Sequence, residues 1–545
     1  MVKKPVQPPF EMPTEISGDQ FDYYEAYKAT ADLQSKDEEL DFLAHVGTMD
    51  DLYLDIVSPP FQIFGEEIRV FSTVNSQNSN EENSYALPSA SLDILRHCRS
   101  RISSVNGKRI RGLSCEIEEN TSSPSQLSTN HIIELSAANF IHSKLRSENE
   151  LYAISHPHAS SLLGLSEENS KDVQLVEDLL SCAEKVSNKN YESASKLLEE
   201  CYKKSCIQMN KMQRLVCYFT EALREKIDRG SGRSPRKRIV NDAPLDPTAP
   251  TSATAAFFEK LPFSQITQFA SIQSMVEHVS DSRKVHVIDL ELRCGVQQIV
   301  LMQALSARSE YECSIEHFKI TAVATESRHV IEEAGVRLRS LASSLNISFS
   351  FHVITLEDFV NLQLSILDLD KEEAVLVYGL HALEKLVSNP NELEALMRVI
   401  RRINPCVMIT IDAAANVNSP VFVDRFVEAL VYCGALFDSL EDCLRSNVAE
   451  RGIVESSLLV PVIRNAVAGE GAERKHRIVG INVWRAFFSR FGMVEAKLSK
   501  LALNHASMVL SRFECRDSCT LDFNGNSLIV SWKGTPICSL SVWKF

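Results

Sequence analysis

VHVIDLELRCGVQQ, Val285 to Gln298, is the stretch on which the fold turns. Val285, Val287 and Ile288 spell a strand buried on both faces, and Asp289 ends it. A strand, an acid, a turn and then a helix is the order of a doubly wound α/β sheet, whose ligands bind beyond the carboxyl ends of its strands.

Outward from this strand the chain alternates. Helix Gln297–Arg308 leads to strand Phe318–Thr325, helix Arg328–Leu345 to strand Ile347–Ile354, and strands Ala374–Leu380 and Cys406–Ala413 follow, each with its own helix. Strands alternating with helices predict a parallel sheet covered on both faces. SLIVSWKGTPICSLSVWKF, at the end, alternates around Lys533-Gly534 and predicts an antiparallel hairpin. The expected class is α/β, with a Rossmann-like (methyltransferase-like) core, a parallel sheet and a helical cap.

The turn after Asp289 bears on chemistry. In a methyltransferase-like fold, Asp289 and Glu326 would meet the methionine amine and the ribose of S-adenosylmethionine. A bound nucleoside needs backbone stripped of side chains, hence several glycines. Here only Gly295 is bare, while Glu291, Leu292, Arg293, Cys294, Val296 and Gln297 carry side chains. The expectation is therefore no cofactor and no enzyme, with an S-adenosylmethionine-dependent methyltransferase as the alternative. His286 lies inside an apolar strand and reads as a core histidine, and His352 and His381 stand isolated. No nucleophile elbow, Walker loop or HExxH motif is present in the sequence.

Upstream the rhythm is helical. Val173–Val186, Tyr191–Ser205 and Met212–Ile227 carry apolar stripes at helical spacing, including Leu179, Leu180, Leu197, Leu198, Leu215 and Phe219. They predict a helical bundle, and these six residues are the candidate partner interface. SGRSPRKR, with Arg233, Arg236, Lys237 and Arg238, is a candidate nuclear-import signal or a solvated loop, and GKRIRG (107–112) is a weaker basic cluster. Residues 1–165 read as a variable, partly disordered region, polar at Asn75–Ser84 and Glu118–Asn130. Within it Glu38–Val57 is either a segment that folds on a partner, an acidic activation segment, or a short helix on the main body.

The bulk numbers agree with an ordinary globular protein more than with a nucleic-acid binder. The chain has 545 residues, 44% hydrophobic and 24% charged, with a net charge of −15. That charge gains nothing from general attraction to phosphate. No apolar run is long enough to span a bilayer, and MVKKPVQPPFEMP lacks the apolar core of a secretory signal. The 14 cysteines are scattered and read as reduced thiols.

Taken in order, these pieces resemble the GRAS family of plant transcriptional regulators. Val285–Asp289 resembles its VHIID motif. The helices from Val173 resemble its first leucine-rich region, and Gly335–Phe351 the second. Asn418–Glu441 resembles the PFYRE region, with Glu450–Glu455 and Gly469–Arg477 after it. Trp484, Trp532 and Ser541-Val542-Trp543 resemble the SAW region. The chain departs from the family's pattern at Gln298-Ile299, in place of Trp-Pro, at Ile272 and at Ile478. It lacks the DELLA and TVHYNP signatures, so binding of the gibberellin receptor is not expected. Its C-terminal wording resembles the DELLA-like branch that includes a regulator of arbuscular root symbiosis.

The resemblance implies a GRAS domain over 166–545, divided at 166–240, 241–355, 356–465 and 466–545. It implies a nuclear regulator that associates with other GRAS proteins, as homo- or heterodimers, and with DNA-binding transcription factors. Direct DNA contact is a weaker option, and no membrane is involved. Asp289 is expected to hold the turn. Arg425, Glu428, Arg451, Glu455, Arg474 and Arg477 are expected to form partly buried charge contacts, and the three tryptophans to pack the C-terminal hairpin onto the sheet.

Overall fold

A computed structural model describes residues 127–146, 165–205, 210–233, 249–307, 314–324, 328–357 and 367–545. The polar tract Asn75–Ser84, the acidic segment Glu38–Val57, GKRIRG, Glu326 and the trio Arg236, Lys237 and Arg238 lie outside them.

Helix formation starts where local chemistry permits it. α1 spans Thr129–Arg146, α2 Glu167–Ser187, α3 Tyr191–Lys204 and α4 Lys211–Gly230. Ser166 caps α2 by accepting the Asn169 N–H at 3.2 Å, and Glu167 and Glu168 sit in its first turn, where the helix dipole favours acids. Asn190 and Asn210 cap α3 and α4 in the same way. α5 (Ala249–Lys260) and α6 (Pro262–His278) complete the stretch before the sheet, α6 with proline in its first turn.

The nine described strands form one sheet. Its parallel half is β1 (Lys284–Asp289), β2 (His317–Ala324), β3 (Ser348–Thr355), β4 (Glu373–Leu380) and β5 (Val407–Ala413), in the order β3-β2-β1-β4-β5. Between them run α7 (Val296–Ser306), α8 (Arg328–Ser344) and α9 (Pro390–Ile403), and α10 (Phe422–Cys443) follows β5. Strand order reverses between β1 and β4, which places a crevice at their carboxyl ends. β1 is buried in all but its first residue, because it pairs in register with β2 on one side and β4 on the other.

Beyond the 3-10 turns Leu383–Ser388, Gly471–Glu473 and Arg516–Ser518, the elements after α10 are α11 (Val448–Val454), a π-helical turn Glu455–Leu459, α12 (Val460–Val467), α13 (Ile481–Ser489), β6 (Val494–Ala496), α14 (Lys500–Ser511), β7 (Cys519–Asn524), β8 (Ser527–Trp532) and β9 (Thr535–Lys544). β9 runs antiparallel to β5 and β8, and its end also pairs β6. The β8–β9 turn is Lys533-Gly534, at φ 45° and 86°, the two left-handed positions of a tight hairpin turn.

Two apolar layers cover the sheet. One holds Val285, Val287, the cap helices, α6 and α10; the other holds Ile288, α9, α13 and Trp543. α9 shows why: Leu393, Leu396, Met397, Ile400 and Ile403 fall on one stripe and are buried, and Asn404 closes the helix at φ 51°. One boundary differs from the sequence expectation. α1 lies before residue 166, yet Ile132, Ile133, Ala137 and Phe140 are buried in the first layer. Its footing is Gly434 of α10, where an added Cβ would stand 2.9 Å from Ile133 Cδ1.

Candidate functional site

Asp289 is 1% exposed at the crevice. Its Oδ1 accepts the Glu291 N–H at 3.0 Å, and its Oδ2 accepts from Gln298 Nε2 at 2.7 Å. Both oxygens are thus committed to the chain's own donors. Burial pushes this carboxyl up to about 7 against those two hydrogen bonds. In the turn that follows, Leu290 and Leu292 are buried, one in each apolar layer. Glu291 reaches Lys385, past the end of β4, at 3.1 and 3.2 Å, so an ion pair links the two strand ends that flank the crevice. Gly295 serves the backbone: at φ 74° it starts α7, and a Cβ there would stand 3.4 Å from Ala334. These residues do not fit a nucleoside cofactor.

Next to this turn lies a second acidic cluster that the sequence did not announce. His381, read there as isolated, has Nδ1 3.1 Å from Glu384 Oε1, and its own N–H donates to Ile411 O at 2.8 Å. Glu384 Oε1 also accepts the Ala413 N–H at 2.8 Å. Burial opposes ionisation of Glu384, but His381 and this N–H hold it below the usual carboxylate range. Asp412, at the end of β5, is pushed up to about 7 by burial and then by Glu384. His286, at the other end of β1, is a core histidine, with Nε2 2.8 Å from Thr321 Oγ1 and Nδ1 3.3 Å from Glu373 Oε2. Among the described residues no group of three or more His, Cys, Asp or Glu side chains is placed to hold a metal ion.

The charged residues of the later motifs join elements, though by partners that sequence order hides. Glu455 receives Arg214 of α4, with Nε at 3.1 and 3.2 Å from its two oxygens, and lies 3.9 Å from Arg451. Glu441 bridges Arg214 at 2.7 Å and Arg451 at 2.8 Å. Lys211, one turn before Arg214, pairs with buried Asp438 of α10. The missed signal is a Lys and an Arg three apart on a helix face that is otherwise apolar. Arg425 donates to Ala466 O and Ser419 O, both at 2.8 Å, and to Glu470 at 3.0 Å. Arg474 donates to Val417 O at 2.8 Å and Asn418 Oδ1 at 3.1 Å. Together they fasten the loop before α10 largely through its backbone. Glu428 accepts the Asn416 N–H of that loop at 3.3 Å, and Arg477 donates to Gly471 O at 3.1 Å.

The tryptophans divide between the two faces of the sheet. Trp484 of α13 stacks on Phe488 at 5.6 Å, and Phe488 meets Trp543 at 4.8 Å. Trp532 lies in the opposite layer, with the cap helices and α10. So the expected common role on one hairpin is split: Trp484 and Trp543 hold α13 to β9, and Trp532 anchors β8 on the other side.

The expected partner surface is corrected by burial. Leu179, Leu180, Leu198, Leu215 and Phe219 are at most 3% exposed, and Leu197 is half-buried. Their stripes face one another and α10; Phe219 meets Phe426 edge-on at 5.4 Å. The cap is not a thin layer, because α10 and α1 supply the apolar surface the sequence left uncounted. Arg233 is exposed just after α4, and its three basic companions lie outside the described residues.

Comparison with known proteins agrees with this architecture. The GRAS domain family matches residues 175–544. The chain is 32% identical over 374 residues to DELLA protein RGL3 of Arabidopsis thaliana, covering 68% of this chain and 69% of that one. It is 30% identical over 373 residues to DELLA protein GAI1 of Vitis vinifera, covering 68% of this chain but only 62% of that protein's length. The crystal structure of SCL7 from Oryza sativa shares the fold, with a TM-score of 0.59 at 23% identity, over 68% of this chain and 99% of that one. With the motifs in order and the family matched over most of its length, the chain belongs to the GRAS family.

Proposed function

We propose that the chain is a nuclear transcriptional regulator that works by protein association, with other GRAS proteins and with DNA-binding factors, and that it is not a methyltransferase. The family match supports regulation, and the observation that speaks against a cofactor is that the turn after Asp289 is committed to the chain's own contacts. Asp289 is bound by Gln298 and the Glu291 N–H, Leu290 and Leu292 occupy the turn, and Glu291–Lys385 links the strand ends. The net charge of −15 supports recruitment to DNA by a partner over direct contact. Nuclear entry is assigned to Arg233, Arg236, Lys237 and Arg238, and the arbuscular setting rests on the likeness of the C-terminal segments.

Calorimetric titration of the full chain with S-adenosylmethionine tests the core of this reading. No heat is expected at high protein concentration. Micromolar binding, lost in Asp289→Ala with the fold retained, would instead overturn the reading of the turn and call for a methyl acceptor. Tethering the full chain to a reporter promoter tests regulation: an unchanged reporter output would count against it. A fluorescent fusion with the four basic residues changed to Ala should lose nuclear accumulation.

A further inference from the structure

Ten cysteines lie among the described residues, all reduced. Six are buried, and Cys294, Cys406, Cys443 and Cys515 are half-buried. Two of these four touch: Cys443 Sγ, at the end of α10, stands 3.4 Å from Cys515 Sγ, in the segment between α14 and β7. They are 72 positions apart, so only the fold brings them together. We propose that Cys443 and Cys515 are a redox modification site, closing to a reversible disulfide when the chain meets hydrogen peroxide.

The chemistry divides between the two thiols. The two sulfurs share one S–H···S contact in which either can donate, and this contact lowers the Cys515 thiol below its ordinary value and raises that of Cys443. Cys515 as thiolate attacks one peroxide oxygen; the O–O bond breaks, and hydroxide leaves and takes a proton to become water. Cys515 is then a sulfenic acid. Cys443 sulfur attacks Cys515 sulfur, the S–O bond breaks, and the second oxygen leaves as water with the Cys443 proton. Two thiols lose two electrons, and one peroxide gains them. The product ties the end of α10 to the strand entry of the C-terminal hairpin. Cys182 and Cys201 serve as internal controls: both are fully buried in the cap, and burial pushes both thiols up.

The test uses the full chain, reduced, desalted and treated with a small excess of hydrogen peroxide. Remaining thiols are blocked with N-ethylmaleimide, and peptides are mapped by mass spectrometry without reduction. The expected result is one dominant cross-linked pair joining the Cys443 and Cys515 peptides, about 2 Da below their sum, and lost on adding dithiothreitol. In Cys443→Ser, dimedone should label Cys515. Finding both cysteines maleimide-labelled after peroxide, or Cys515 joined to Cys519, would overturn the proposal. The wild-type map decides alone if the variant fails to fold.

Discussion

At Asp289 burial outweighs the two hydrogen bonds and the nearby Arg293 that favour its charged form, and this has a consequence with a definite sign. Its ordinary value of 3.8 is raised to about 7 by burial. The folded chain therefore holds the proton across that window, and the unfolded chain does not. The group's contribution to stability is whole below about pH 4 and is lost as pH rises through about 7, by on the order of 4 kcal/mol at most. Asp289→Asn should flatten this: urea unfolding of wild type and variant at pH 5 and pH 8 should show the wild type losing more between them. An equal loss in both would mean the carboxyl stays ionised in the fold. Arg214 sets the opposite kind of problem. Its guanidinium faces Glu455, whose side chain is 1% exposed. Arg214→Ala leaves that carboxylate buried with Arg451 at 3.9 Å, and should cost about 3–5 kcal/mol in unfolding free energy. A loss below about 1 kcal/mol would place the pair in effective contact with water.

Among the elements, α10 is the hub, since it meets α1, α4, α12 and the sheet at once. It packs closely on α1 at Gly434, where an added methyl group would meet Ile133 Cδ1 at 2.9 Å and Asn130 and Thr129 at 3.1 Å. Gly434→Ala should cost about 1–3 kcal/mol, because overpacking forces α1 away. Hydrogen exchange over Thr129–Arg146 should then speed up while that of β5 stays slow; equal acceleration in both would mean that the damage is not local. The strand periods of β1, β2, β4 and β5 were legible here, because burial on both faces leaves apolar runs. α1 was not, because TNHIIELSAANFIHSKLR is weakly amphipathic and follows a polar tract. Its helix is retained by what it packs on rather than by its own pattern.

For the whole molecule, the folded body begins earlier than the leucine-rich helices suggest. A chain starting at Ser166 lacks α1, which buries Ile132, Ile133 and Phe140 and joins Ser136 Oγ to Val173 O at 3.0 Å. Each such side chain contributes about 1.5–3 kcal/mol on burial. The shorter chain should melt several degrees below one starting at Leu127, and should bind a hydrophobic dye when native. Equal melting temperatures and no dye binding would make α1 dispensable.

The sequence by itself determined the α/β class, the alternation of strands and helices along the chain and the closing hairpin at Lys533-Gly534, and the structure added the strand order. The first three are set by local chemistry: apolar period and left-handed turn positions. Only the tertiary structure decided that Gln298 holds Asp289, that Arg214 serves Glu455 from 241 positions away, that the cap leucines face inward and that Cys443 meets Cys515. These depend on which surfaces the chain folds against one another, and a pattern along one segment records its own exposed and apolar faces but not what covers them.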